Sequence, residues 1–271
     1  MNKSKVQKTS FAKKSFGQNF LVDQNYISKI ISALNPQKDD TIIEIGAGRG
    51  VLTKILTESG ADVIAIELER NMIAVLRERF AYKENFKLVE SDVLKIDFSA
   101  LSTQHSALST KLVANLPYYI STAILQKLIE QRDCFSEMIL MFQREVVERI
   151  TAQAGNSERG FLTVITEAYL KTEKLFDVPP NAFLPAPKVW SAVVRLTPKQ
   201  SQIENEKLFR ELVSSGFGQK RKTILNNLKN FSSAIDMKTM LDVCDIAAQR
   251  RSETLTLAEW KRLSDSIAVV A

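Results

Sequence analysis

Asn115-Leu116-Pro117-Tyr118 is the segment whose residue types and spacing most directly suggest chemistry. It suits an exocyclic amine on a nucleobase. Such an amine is a poor nucleophile, because its lone pair is delocalised into the ring. The Asn115 side-chain oxygen and the Leu116 carbonyl can each accept one N–H. That favours a pyramidal nitrogen and puts acceptors where positive charge develops. Pro117 fixes the backbone and brings no competing N–H. Tyr118 offers a face on which a base can stack. The amine sheds its proton after attack, so no strong base is required. The competing reading is a strand-ending turn with a packing tyrosine.

A second constellation precedes it. Glu44-Ile45-Gly46-Ala47-Gly48-Arg49-Gly50 sits where a strand passes into a helix, and glycines at such a turn let a ligand approach the backbone closely. A dinucleotide fingerprint would need glycine at position 51, which is Val51. The G-x-G-x-G spacing after an acidic residue resembles motif I of the class I S-adenosylmethionine methyltransferases, whose methyl donor has no pyrophosphate to cradle. Glu67, 21 residues after Gly46, is placed to accept the ribose hydroxyls, the role of an acid about 20 residues on. Asp92, after the next strand, is placed to bond the adenine amino group. The alternative is a nucleotide-binding sheet for another ligand.

These residues need elements to hold them. Apolar runs at 41–45, 62–67, 86–90, 111–114 and 138–142 read as buried strands, and 174–178 and 191–196 as two more. Helical periodicity covers 25–34, 51–58, 72–80, 120–130 and 144–153. Strands alternating with helices predict an α/β fold with a doubly wound parallel sheet, and the resemblance to the class I methyltransferases implies its Rossmann-like, mostly parallel seven-stranded form. Polar residues 198–205 read as a linker. Residues 1–198 are therefore expected to form the methyltransferase domain with a basic arm, and residues 205–271 a small all-α domain.

The N-L-P-Y segment resembles motif IV of amino-methyltransferases, and in this form it is similar to the ribosomal RNA adenine dimethyltransferase family. Phe16-Gly17-Gln18-Asn19-Phe20-Leu21 matches that family's N-terminal signature. Val178-Pro179-Pro180 through Phe183-Leu184-Pro185-Ala186-Pro187-Lys188-Val189 matches its proline-rich loop, Ser191–Arg195 its last strand, and Phe217 through Arg221-Lys222-Thr223-Ile224 and Asn227 its tail. The resemblance implies that Asn19 and Leu21 contact the cofactor with Gly46, Gly48, Glu67, Asp92 and Asn115. It also implies that Phe183 stacks on the target base opposite Tyr118. The implied substrate is a pair of adjacent adenosines near the 3′ end of 16S rRNA in an immature small ribosomal subunit, each dimethylated at N6. Ala186 and Trp190 stand where many relatives have Pro and Asp; Trp190 is expected to bear on loop packing or RNA contact.

Bulk properties agree. With 45% hydrophobic and 25% charged residues, the composition is that of a globular chain. The net charge of +6 is unevenly spread: Lys3, Lys5, Lys8, Lys13 and Lys14 precede the first acid, Asp23, and 11 basic residues face 8 acidic ones from Asn205 onward. Basic ends around a near-neutral body suit a polyanion such as RNA. Lys220, Arg221, Lys222, Arg250 and Arg251 are the expected phosphate contacts; a solvated helix face is the plainer reading. One histidine, His105, and the widely spaced Cys134 and Cys244 offer neither a Ser-His-Asp triad nor metal-ligand spacing, so no metal is expected. The absence of an apolar leader and of a membrane-length apolar run points to a cytoplasmic protein, expected to be a monomer. Two other functions compete: a methyltransferase of large-subunit (23S) rRNA conferring antibiotic resistance, and an assembly factor that has lost catalysis.

Overall fold

The computed structural model describes residues 19–102 and 110–270. The five arm lysines, Phe16-Gly17-Gln18 and His105 lie outside the described residues. All seven expected strands form: β2 (Thr41–Ile45), β3 (Asp62–Glu67), β4 (Phe86–Glu90), β5 (Thr110–Asn115), β6 (Glu137–Gln143), β7 (Leu170–Val178) and β9 (Ser191–Pro198), in one sheet of order β4-β3-β2-β5-β6-β9-β7. Neighbours β4 through β6 pair parallel, and β9 pairs antiparallel with both β6 and β7. Only β9 is reversed, so its first residue, Ser191, opposite Gln143, lies at the sheet edge where the parallel strands end. Two further strands, β1 (Phe20–Leu21) and β8 (Phe183–Leu184), pair antiparallel as a separate ribbon.

The helices are α1 (Gln24–Leu34), α2 (Val51–Glu58), α3 (Arg70–Phe80), α4 (Ser99–Ser102), α5 (Ser121–Glu130), α6 (Arg144–Ile150), α7 (Phe161–Tyr169), α8 (Glu206–Gly216), α9 (Ile224–Leu228), α10 (Met237–Val243) and α11 (Leu257–Val270). Their ends follow local chemistry. The Asp23 side chain caps α1 by accepting the Asn25 N–H, and Asn35, at φ 46°, closes it in the left-handed conformation ahead of Pro36.

Strand residues alternate between two cores, as a sheet covered on both faces requires. Ile43, Ile45, Leu112, Ala114, Met138 and Leu140 belong to one cluster, and Ile42, Val113, Ile139 and Met141 to the other, with Leu52 and Leu56 of α2. The first cluster runs without a break into the tail, through Phe209, Leu212, Trp260 and Leu263. Arg132 before β6 forms an ion pair with Glu206 at the start of α8. The helical tail thus shares the hydrophobic core of the sheet. Among the described residues no helix is long and apolar enough to cross a membrane.

Candidate active site

The carboxyl ends of β2, β3 and β5 meet around one hollow, the place where an open α/β sheet binds its ligand. Asn19, Leu21, Glu44, Gly46, Gly48 and Glu67 line it, together with Asn115, Leu116, Pro117 and Tyr118. A second hollow adjoins it, sharing Gly46, Glu67 and Pro117, and carries Asp92. Most of the expected site residues are therefore brought together by four strand ends.

The three glycines of the turn after β2 have different reasons. All have positive φ, at 71°, 55° and 71° for Gly46, Gly48 and Gly50, which L side chains rarely adopt. A Cβ on Gly46 would meet nothing within 4 Å, so it would enter the ligand space. One on Gly48 would sit 3.2 Å from the Phe20 ring, and one on Gly50 2.5 Å from the Phe80 ring. Phe20 thus closes over the turn, and the Arg49 guanidinium lies 4.5 Å from its ring centroid.

Glu67 ends β3 almost fully buried, and its carboxylate accepts the Gly48, Leu68 and Glu69 N–H groups, each at 2.9 Å. These donors fix the carboxylate beside the glycine turn. Asp92 follows β4 and accepts the Leu94 N–H at 3.0 Å. Asn115 ends β5; its Nδ2 donates to the Asn19 carbonyl at 3.1 Å, which leaves Oδ1 as the acceptor. Leu116 is buried behind it. The Tyr118 hydroxyl lies 2.6 Å from the Ser191 Oγ, and burial raises its pKa.

Two residues enter the site that the spacing of motifs alone did not assign. Glu44 lines the hollow yet is only 3% exposed. Burial above all lifts its pKa to about 7; the Thr53 Oγ1 bond at 2.6 Å opposes this, and the Glu67 carboxylate adds to it. The signal for it was an acid interrupting an apolar strand. Ser191, fully buried at the start of β9, holds Tyr118; nothing local in the sequence marks it.

Phe183 is placed differently from the expectation. It is 3% exposed, pairs with Leu21 across the β1–β8 ribbon, and packs in the core with Ile27 and Val193 rather than lining either hollow. Strand alternation turns the following residue, Leu184, outward.

In the tail, Lys220, Arg221 and Lys222 are exposed on the turn between α8 and α9. Asn227 clamps that turn by donating to the carbonyls of Gly216 and Gln219. The Ile224 N–H donates to the Arg250 carbonyl at 2.7 Å, so the two basic segments abut. Arg251 is exposed. Arg250 is occupied: its guanidinium grips Glu259, with Nη2 3.1 Å from Oε2, and donates to the Thr254 carbonyl and hydroxyl. That bond holds the Glu259 pKa down to about 2, from 4.5. The associated stability is present above pH 4.5 and lost as pH falls toward 2. Arg250→Ala is expected to lower the melting temperature at pH 7 and to flatten its decline between pH 5 and 3. Melting curves across that range check this; an unchanged melting temperature would make Arg250 available for RNA instead.

Among the described residues no three His, Cys, Asp or Glu side chains are grouped to hold a metal ion.

Comparison with known proteins places these features in a family. Residues 9–268 match the family model described as ribosomal RNA adenine dimethylase. The chain is 42% identical over 260 residues to "Ribosomal RNA small subunit methyltransferase A" of Clostridium botulinum, covering 94% of this chain and 93% of the relative. It is 40% identical over 259 residues to the protein of the same name in Hahella chejuensis, with the same coverage. Among solved structures, a dimethyladenosine transferase from Plasmodium falciparum superposes with a TM-score of 0.76 at 30% identity, over 90% of this chain and 95% of that one. The 23S rRNA methyltransferase ErmE shares the fold, with a TM-score of 0.68 at 23% identity over 92% of this chain and 100% of that one.

Proposed function

The chain belongs to the ribosomal RNA adenine dimethylase family, and on that premise we propose how its site performs the family's reaction and on which nucleotides. It is an S-adenosylmethionine-dependent ribosomal RNA adenine dimethyltransferase that acts on small-subunit RNA. The finer reading is that each of two adjacent adenosines near the 3′ end of 16S rRNA receives two methyl groups at N6. A monomeric cytoplasmic enzyme would do this on an immature small subunit.

The observation that carries this reading is that Asn115–Tyr118 shares one hollow with Glu44, Gly46 and Glu67. S-adenosylmethionine, when bound, supplies a methyl group on a cationic sulfonium. The residues fit such a ligand: two carboxylates, Glu44 and Glu67, converge on the hollow, and the Gly46 turn leaves it room. Glu67 would hold the ribose hydroxyls and Asp92, in the adjoining hollow, the adenine amino group; Asn19 and Leu21 close the site through the β1 segment.

The chain's own residues prepare the target amine. Asn115, oriented by its bond to the Asn19 carbonyl, presents Oδ1 to one N–H, and the Leu116 carbonyl takes the other. Both acceptors stabilise the charge that develops on nitrogen. Tyr118, its hydroxyl tied to Ser191, gives the flipped base a fixed stacking face. Phe183, to stack on the opposite side, would have to leave the core position it holds here.

Lys220, Arg221 and Lys222 are proposed to bind phosphates and set register without reading sequence, as part of a helical RNA-binding unit over residues 205–271. Replacing all three by Ala is expected to lower the salt-dependence slope of RNA binding by roughly 2–3, with cofactor affinity unchanged. Loss of cofactor affinity would refute that separation. The test of the target itself is mass mapping of methylated nucleotides after reaction with unmethylated ribosomes. Paired modifications near the 3′ end of small-subunit RNA are expected; modification of large-subunit RNA would point to the resistance-type reaction.

A further inference from the structure

Trp190 has no role in the chemistry above, yet it adjoins a residue that holds Tyr118. It is 46% exposed. It is the residue immediately before Ser191, whose hydroxyl lies 2.6 Å from that of Tyr118. Because β9 is the reversed strand, this point lies at the sheet edge that carries Asn115. The position is also held: the Arg144 N–H donates to the Trp190 carbonyl at 2.9 Å.

The surroundings match a nucleic acid. Leu184 and Val189 of the same loop are exposed, as is Tyr119 beside Tyr118, so large apolar side chains of this loop and of the Asn115–Tyr119 segment face solvent. Cations accompany them: Lys188, two residues before Trp190, is exposed, as is Arg144, which shares its charge with Glu148 in a surface pair at 3.3 Å. An indole flanked by cations is the combination that binds single-stranded nucleotides, with stacking on the ring and charge on the backbone. A base drawn out to Tyr118 leaves its neighbour unstacked on one side. The other tryptophan of the chain, Trp260, is fully buried in the tail core.

We propose that Trp190 is a specificity-determining residue that stacks on an RNA nucleotide flanking the target adenosine, receiving the base exposed when the target is extruded. This rests on the reading that Tyr118 holds the target base. The ring is expected to contribute to substrate binding and not to methyl transfer itself.

The two tryptophans make this measurable. Steady-state methylation of unmethylated small subunits should show a KM for Trp190→Ala raised roughly tenfold, with kcat within about twofold of the native enzyme. Trp190→Phe, which keeps an aromatic face, should restore KM to within about threefold. Cofactor affinity and melting temperature should be unchanged in both, as the side chain is exposed. In parallel, protein-free small-subunit rRNA should quench the native protein's tryptophan emission and shield it from acrylamide. It should leave Trp190→Phe, which retains only Trp260, unaffected. Two results would overturn the proposal: a KM for Trp190→Ala within twofold of native, or emission that rRNA does not alter. A KM effect on whole subunits without any response to protein-free rRNA would assign the surface to a ribosomal protein, which also overturns it. Absence of methyl transfer by the native enzyme would count against the catalytic reading, and the emission measurement would still decide the contact.

Discussion

Replacing Asn115 by Ala is expected to lower kcat about 10²–10³-fold, the usual cost of removing one preorganised group aimed at developing charge. The side chain stands at the carboxyl end of β5, between the two halves of the reaction. Its Nδ2 is committed to the Asn19 carbonyl, so the amide cannot rotate freely and Oδ1 is the atom left for the substrate. Alanine removes that acceptor and also unties the β1 segment from the site. Cofactor affinity should fall by less than about tenfold, because Glu44, Glu67 and the glycine turn remain. Asn115→Asp keeps an acceptor but cannot donate to the Asn19 carbonyl; its rate should fall between the two. Single-turnover transfer from labelled cofactor, beside calorimetric binding, checks both. A rate within fivefold of native for Asn115→Ala would remove Asn115 from the chemistry.

The second large effect is expected at Glu44, and its sign depends on whether ligand is present. The carboxyl is buried, bonded to Thr53 and close to Glu67, with a pKa of about 7 against an ordinary 4.5. The folded protein therefore holds this proton between pH 4.5 and 7, where the unfolded chain has released it. The stability linked to it is full below pH 4.5, falls as pH rises and is gone above about 7, a loss on the order of 3 kcal/mol at most. A cationic ligand reverses the preference by favouring the carboxylate. Binding of S-adenosylmethionine should then release a proton below pH 7. Its affinity should rise by up to about tenfold per pH unit toward 7 and level off beyond it. Glu44→Gln should melt at a higher temperature than native at pH 8 without cofactor, bind cofactor roughly 10–100-fold more weakly, and lose the pH dependence. Calorimetry in buffers of different ionisation enthalpy measures the released proton directly. Equal affinity at pH 6 and 8 would show that Glu44 is not coupled to the ligand.

Much of this is legible in the amino-acid sequence. The parallel strands are buried on both faces, so Thr41–Ile45 and Asp62–Glu67 appear as short apolar runs ended by turns, and their bounds match those observed. The site was legible because it sits at those ends: once a strand's last residue is known, Glu67 and Asn115 follow. Three features were not. Helix α7 is buried nearly all round, from Leu162 to Tyr169, and its β-branched run Thr163-Val164-Ile165-Thr166 weighs against a helix. Tertiary burial decides it. The β1–β8 ribbon joins residues far apart in the chain through two residues each, too short to leave a pattern. Arg250 reads as a surface cation beside Arg251, but its fork is closed on Glu259, and no sequence spacing distinguishes a clamp from a phosphate contact. Phe183 is the case where resemblance and packing differ: the motif assigns it to the base, and the described fold keeps it in the core with Leu21.

The most direct test of the account is nucleoside analysis of small subunits lacking these methyl groups, incubated with labelled S-adenosylmethionine and either native enzyme or Asn115→Ala. Label is expected in N6,N6-dimethyladenosine with the native enzyme, with a loss of that label of two orders of magnitude or more in initial rate with the variant. Label in methylated cytosine or in ribosomal protein, or dimethyladenosine formed equally well by both, would contradict it.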